Sequence, residues 1–152
     1  MAVAEVLLWR VVNELRAAVD DDTRLSREAL QEVVQGTVVE FRACVLIAEE
    51  SGQVIAASEQ ALQTLGYTLP TLRALNVTEL AGEDEEEEVE LLWESFLRQR
   101  RQTGCFTLPH RDGTLIRTQY AAISNAVAGL SAAVHVVSTS AEPGQRRADK
   151  DA

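Results

Sequence analysis

Few residues in this 152-residue chain carry groups that do chemistry, and their spacing limits what they can do. Cys44 and Cys105 stand far apart, with no CxxC pair and no Cys/His spacing of a zinc site, so both are expected to be packing residues and no metal site is expected. Serine, histidine and aspartate are all present. No GxSxG turn presents a nucleophile, however, and two histidines without a placed partner do not make a triad. His110 adjoins a turn, where exposure is expected. His135 lies in an apolar strand, where it is satisfied by a neighbour, faces solvent or serves as a strand-borne haem ligand. These patterns give no ground for an enzyme.

The acidic run Glu83 to Glu90, EDEEEEVE, has the charge of a metal site but lacks the interleaved Gly and Asn of a calcium loop. Val89, Leu92, Trp93, Phe96 and Leu97 follow at helical spacing and define one buried face of a long helix reaching about Gln102. Acids in its first turns and Arg98, Arg100 and Arg101 in its last complement the helix dipole, each contact contributing roughly 0.3 to 1 kcal/mol. A solvated helix start is the expected role of the run.

The elements around these residues follow from periodicity. Ala4, Leu8, Val11, Leu15 and Ala18, widened by Val12 and Val19, form the stripe of an amphipathic N-terminal helix. That stripe either pairs with a second subunit or lies on the chain's own sheet. Trp9 sits off the stripe, as an exposed aromatic or a second contact. After the polar break Asp20 to Thr23, Ser26 is placed to cap a second helix running towards Phe41, with Leu30, Val33, Val34 and Thr37 on its apolar side. VLIAEESGQVIAAS then forms a hairpin, EQALQTLGYT a short helix, and CFTLPHRDGTLIRTQYAAIS a second hairpin around Asp-Gly. Asn125 to Gly129 turns the chain into a last strand, Leu130 to Thr139. The tail AEPGQRRADKDA has no apolar residue larger than Ala and is expected to be disordered.

Bulk properties exclude several classes. The length suits one domain with extensions. A net charge of -10 argues against nucleic acid and anionic lipid as partners, because both need clustered Lys and Arg. The N-terminal segment is broken by Glu5, Arg10, Glu14 and Arg16, so neither a secretory signal nor a membrane span fits. A reduced, cytoplasmic setting is the simplest expectation.

From Cys44 to Thr139 the order of strands and helices resembles the PAS domain family. Leu65, Gly66 and Tyr67 match the family's Leu-Gly-Tyr directly, Glu49 stands three before the hairpin Gly52 where Asp is usual, and Ser58 replaces the frequent Asn before the first helix. The resemblance implies an α+β fold, a five-stranded antiparallel sheet with helices over one face, here preceded by two N-terminal helices. Expected limits are 1–42 for the helical extension, a dimerisation candidate, then 43–140 for the PAS-like domain and 141–152 for the tail. Specialised branches depart from this sequence. The long helix lacks the His of haem sensors, and ALNVTELAGED lacks the Cys of flavin-binding light sensors and of photoactive-yellow-type proteins.

The resemblance implies intracellular signal transduction by a homodimer. Two forms are open. In one, a sensor binds a small apolar molecule lined by Leu62, Leu65, Leu72, Leu75, Leu80, Leu92, Trp93 and Phe96, and signals by association with an effector in trans, a kinase or transcription regulator. In the other, a ligand-free interaction module dimerises through Ala4, Leu8, Trp9, Val11, Val12, Leu15, Ala18 and Val19. The last strand runs into VVSTSAEPGQ, without the family's Asp-Ile-Thr-like connector, so output through association is expected in either case.

Overall fold

A computed structural model describes residues 3–19, 25–80 and 86–137, with the side chains of 86–89 outside the description. The acidic run, the Asp20 to Thr23 break and the C-terminal tail lie wholly or mostly outside the described residues. The elements are α1 (Val3–Ala18), α2 (Arg27–Val38), β1 (Cys44–Ala48), β2 (Val54–Ala57), α3 (Glu59–Leu65), α4 (Leu69–Arg73), a 3₁₀ turn (Val77–Leu80), α5 (Glu86–Gln99), β3 (Arg101–Pro109), β4 (Leu115–Val127) and β5 (Leu130–Val137). The strands form one antiparallel sheet in the order β2-β1-β5-β4-β3.

Because successive side chains leave a strand on opposite faces, the sheet builds two cores. On one face Val45, Ile47, Ala121, Ile123, Ala132 and Val134 meet Leu8, Val11, Val12 and Leu15 of α1. On the other, Cys44, Leu46, Val54 and Leu108 pack with Ala61, Leu65, Leu72 and Leu80. Helices therefore cover both faces, and of the two places open to the α1 stripe it takes the chain's own sheet. Arg16 Nε fastens α1 by donating to the Ala126 carbonyl at 2.9 Å.

Local chemistry sets the element ends. Ser26 caps α2, accepting from the Ala29 N–H at 3.1 Å. α2 then seals the exposed edge of the sheet: the Gln35 amide donates to the Ala57 carbonyl at 2.8 Å and accepts from its N–H at 3.0 Å, as a neighbouring strand would. Gln31 Nε2 donates to the Ile55 carbonyl nearby, at 2.9 Å. Gly66 ends α3 at φ 81°, and its missing Cβ makes room for the His110 ring at the β3–β4 turn. Arg111 N–H donates to the Leu65 carbonyl at 2.9 Å, completing that seam.

Three boundaries differ from expectation. α5 stops at Gln99 rather than near Gln102, because Arg100 takes φ 71° while its N–H still bonds the Phe96 carbonyl. β3 starts at once at Arg101, four residues before the Cys105 at which the sequence pattern began the second hairpin, and passes through Gly104. Arg101 thus leaves the helix end and lies 5.2 Å over the Trp9 ring. Lastly β4 runs to Val127, and the irregularity at Asn125 (φ 50°) is a bulge within the pairing to β5 rather than the turn itself.

Ser58 joins the first hairpin to α3. Fully buried, its hydroxyl accepts from Val45 N–H at 2.9 Å and Ala61 N–H at 3.2 Å and donates to the Ala43 carbonyl. Replacing it leaves buried backbone groups without partners, at roughly 1 to 3 kcal/mol. Ser58→Ala is expected to lower the urea midpoint accordingly, whereas Ser58→Asn, which can also cap a helix, should lose less; equal midpoints for wild type and Ser58→Ala would remove this role.

Candidate functional site

Small side chains on the helical face of the sheet leave a space beneath α5. Ala48 of β1, Ala122 of β4 and Ala133 of β5 form part of its floor, with Leu46 and Leu108, while Val77, Leu80, Leu92, Trp93 and Phe96 supply wall and roof. The cavity measures about 110 Å³. α5 is held above it by the Trp93 indole, whose Nε1–H donates to the Glu50 carbonyl at 3.1 Å in the β1–β2 turn, and whose ring packs on Phe96 of the same helix at 5.3 Å.

One end of the cavity is polar. Strand register brings Tyr120 of β4 opposite His135 of β5, and Gln102 of β3 opposite Ala122. The Tyr120 and His135 rings stack at 5.5 Å with Phe106 at 6.1 Å from each, and the Tyr120 hydroxyl donates to Gln102 Oε1 at 3.0 Å. His135 Nδ1 lies 3.0 Å from Thr118 Oγ1, which itself donates to the Phe106 carbonyl at 2.8 Å. A hydroxyl has one proton. Both contacts are made together only when Nδ1–H donates to Thr118, so in the neutral ring Nε2 is the bare acceptor. Burial keeps the ring neutral, pushing the His135 pKa down to about 4. Ser131, two residues before Ala133 on the same face, has a buried Oγ with no hydrogen-bond partner among the described residues.

The sequence-derived candidates divide. Leu80, Leu92, Trp93 and Phe96 line the cavity, whereas Leu62, Leu65, Leu72 and Leu75 sit in the apolar core beside it without facing the space. Gln102, Tyr120, Ser131 and His135 were not among those candidates; the alternation 118-120-122 and 131-133-135 is the signal that carries the last three, and Gln102 joins them through its register with β4. On α1, Ala4, Leu8, Val11, Val12, Leu15 and Val19 are buried against the chain's own sheet, Trp9 is half-buried and Ala18 is exposed. Cys44 is buried, its thiol pushed up to about 12 by desolvation, but Cys105 is exposed on β3 and is not a packing residue. His110 is half-buried against Gly66, accepting from Asp112 N–H at 3.0 Å.

No family model matches the chain, and no curated protein matches it. Solved structures do. A PAS domain from Desulfitobacterium hafniense superposes with a TM-score of 0.60 at 16% identity, covering 65% of this chain and 95% of that one. The chain has a PAS-like fold. A domain of a sensory box sensor histidine kinase/response regulator from Geobacter sulfurreducens matches at TM-score 0.58 and 13% identity, covering 72% of this chain and 96% of its own. The Rhodobacter sphaeroides LOV protein matches at TM-score 0.59 and 8% identity, covering 75% and 70%. Among the described residues no group of three His, Cys, Asp or Glu is placed to hold a metal ion, and no described helix is long and apolar enough to cross a membrane.

The neutral His135 has a stability consequence. The unfolded chain takes up the proton near pH 6.5 and the folded chain only near 4, so the unfolded state binds more protons between those values. Stability therefore falls as pH drops from about 6.5 to about 4, by on the order of 3 kcal/mol from this residue. Urea titrations of wild type and His135→Phe should show a shallower acid slope for the variant; parallel slopes would mean that His135 protonates freely in the folded state.

Proposed function

We propose that this PAS-like domain is the input element of a signalling system: a homodimeric sensor that holds a small, mainly apolar molecule between the sheet and α5 and reports it by associating with an effector in trans. The cavity under α5 carries this reading, because its floor is made of alanines where larger residues would have closed it. Structures with the same fold include a domain of a sensor histidine kinase, which supports a signalling role.

A ligand can act only through differential affinity for two arrangements. β5 is placed to transmit such a difference, since Ala133 and His135 line the cavity while Ala132 and Val134 support α1 on the opposite face. α1 in turn presents Val3, 65% exposed, and Val6, 46% exposed, on its outer side. A partner is proposed to meet α1 there. Pairing two subunits through the buried stripe instead requires α1 to leave its own sheet and exchange.

Those two exposed valines also favour the second reading, a ligand-free module that dimerises or docks through α1. Native mass spectrometry of the freshly purified chain separates the two. A dimer with retained extra mass is the expected result for the sensor; a dimer at bare polypeptide mass supports the interaction module, and a bare monomer removes the homodimer. For either form, association with the effector is expected to weaken at least ten-fold in Val6→Asp, measured by retention of the native partner on immobilised chain.

A further inference from the structure

We infer that the cavity takes an uncharged molecule of about one ring that carries a hydroxyl or ring N–H, a phenol-like ligand whose donor bonds His135 Nε2. The inference rests on the ligand-binding reading above and narrows it to a chemical class.

Size comes first. The space of about 110 Å³ is of the order of a cavity that holds benzene, and it is not closed, since Leu92 of its lining is 41% exposed; the enclosed part of the ligand is therefore about one ring. Charge comes second: none of the lining residues is Lys, Arg, Asp or Glu, and the one titratable base, His135, is neutral at pH 7. A carboxylate or ammonium group would be desolvated there without an opposite charge.

Polarity sets the class. Nδ1 of His135 is committed to Thr118, and the Tyr120 hydroxyl has given its proton to Gln102. What remains on that side is the lone pair of Nε2 and an acceptor position on the Tyr120 oxygen, both of which call for a donor, and the Gln102 amide N–H groups, which suit the lone pairs of that donor's oxygen. Ser131 supplies the second, independent sign of a polar ligand. It is 4% exposed, lies on the cavity face of β5, and its Oγ has no partner among the described residues. Ser131 lies four residues, roughly 13 Å, from His135 along β5, so its hydroxyl marks a second polar position at the other end of the cavity, for a small substituent across the ring. The ring would then lie among Leu46, Leu80, Trp93 and Phe96, which provide the apolar contact.

The test is a titration of the full chain at neutral pH with phenol, anisole and benzoate, followed by amide and histidine-ring ¹⁵N NMR. Phenol is expected to shift the amides of β4 and β5 and to move the His135 Nε2 resonance away from its bare-acceptor position. Anisole, which lacks the donor, should bind roughly five- to ten-fold more weakly, and benzoate weaker still. His135→Phe should lower phenol affinity several-fold and leave anisole unchanged. Equal binding of phenol and anisole overturns the donor assignment while leaving a ligand cavity; preferred binding of benzoate overturns the claim of neutrality. Absence of binding by all three, with the amide spectrum of a folded chain, overturns the inference, and it takes the sensor reading with it only if native mass spectrometry also finds no retained molecule.

Discussion

The alternation of side chains along β5 is the constraint on which the rest of the structure depends. Ala132 and Val134 face one way and close a core with α1; Ser131, Ala133 and His135 face the other and form one side of the cavity. β5 lies in the middle of the sheet, hydrogen-bonded to β1 on one side and β4 on the other. A slip of one residue would put His135 against α1 and Val134 into the cavity, so register, core and site stand or fall together. α1 matters for the same reason: without its stripe, Val45, Ile47, Ala121 and Ile123 would form an apolar sheet face open to water.

Among the described residues the buried side-chain N and O atoms are satisfied with one exception, and it lies at the cavity. Ser58 closes its three bonds, and the Gln35 amide completes the β2 edge. Thr118 serves both Phe106 and His135. Ser131 Oγ is left over, in a protein that otherwise places its buried side-chain polar atoms against partners among the described residues. Such a group costs roughly 1 to 3 kcal/mol when nothing bonds it, a cost that a bound polar group removes.

Much of the fold was legible from periodicity and turn chemistry. α3 occupies the expected Glu59–Leu65, Ser26 and Ser58 cap the helices they precede, and the hairpin at Asp112-Gly113 falls where Asp-Gly placed it. The end of α5 was not legible, because Arg100 takes a left-handed conformation that no local rule assigns to arginine and that tertiary packing of β3 imposes. The cavity was half legible. Helical spacing in α5 picked out Leu92, Trp93 and Phe96, but leucine content alone could not separate Leu80, at the space, from Leu65 and Leu72, in the core beside it. The strand residues Gln102, Tyr120 and His135 come together only through cross-strand register, which a bulge at Asn125 leaves undetermined in the sequence. The destination of the α1 stripe was open for a similar reason: amphipathicity shows that a face is covered and not what covers it.

The central claim is that the space between α5 and the alanines of β4 and β5 is a standing cavity of the folded chain. A crystal structure determined under xenon pressure tests it most directly. Xenon density is expected between Leu80, Phe96 and Ala133 with α5 in place. A structure in which α5 settles onto the sheet, with Phe96 against Ala133 and no xenon between them, would contradict it.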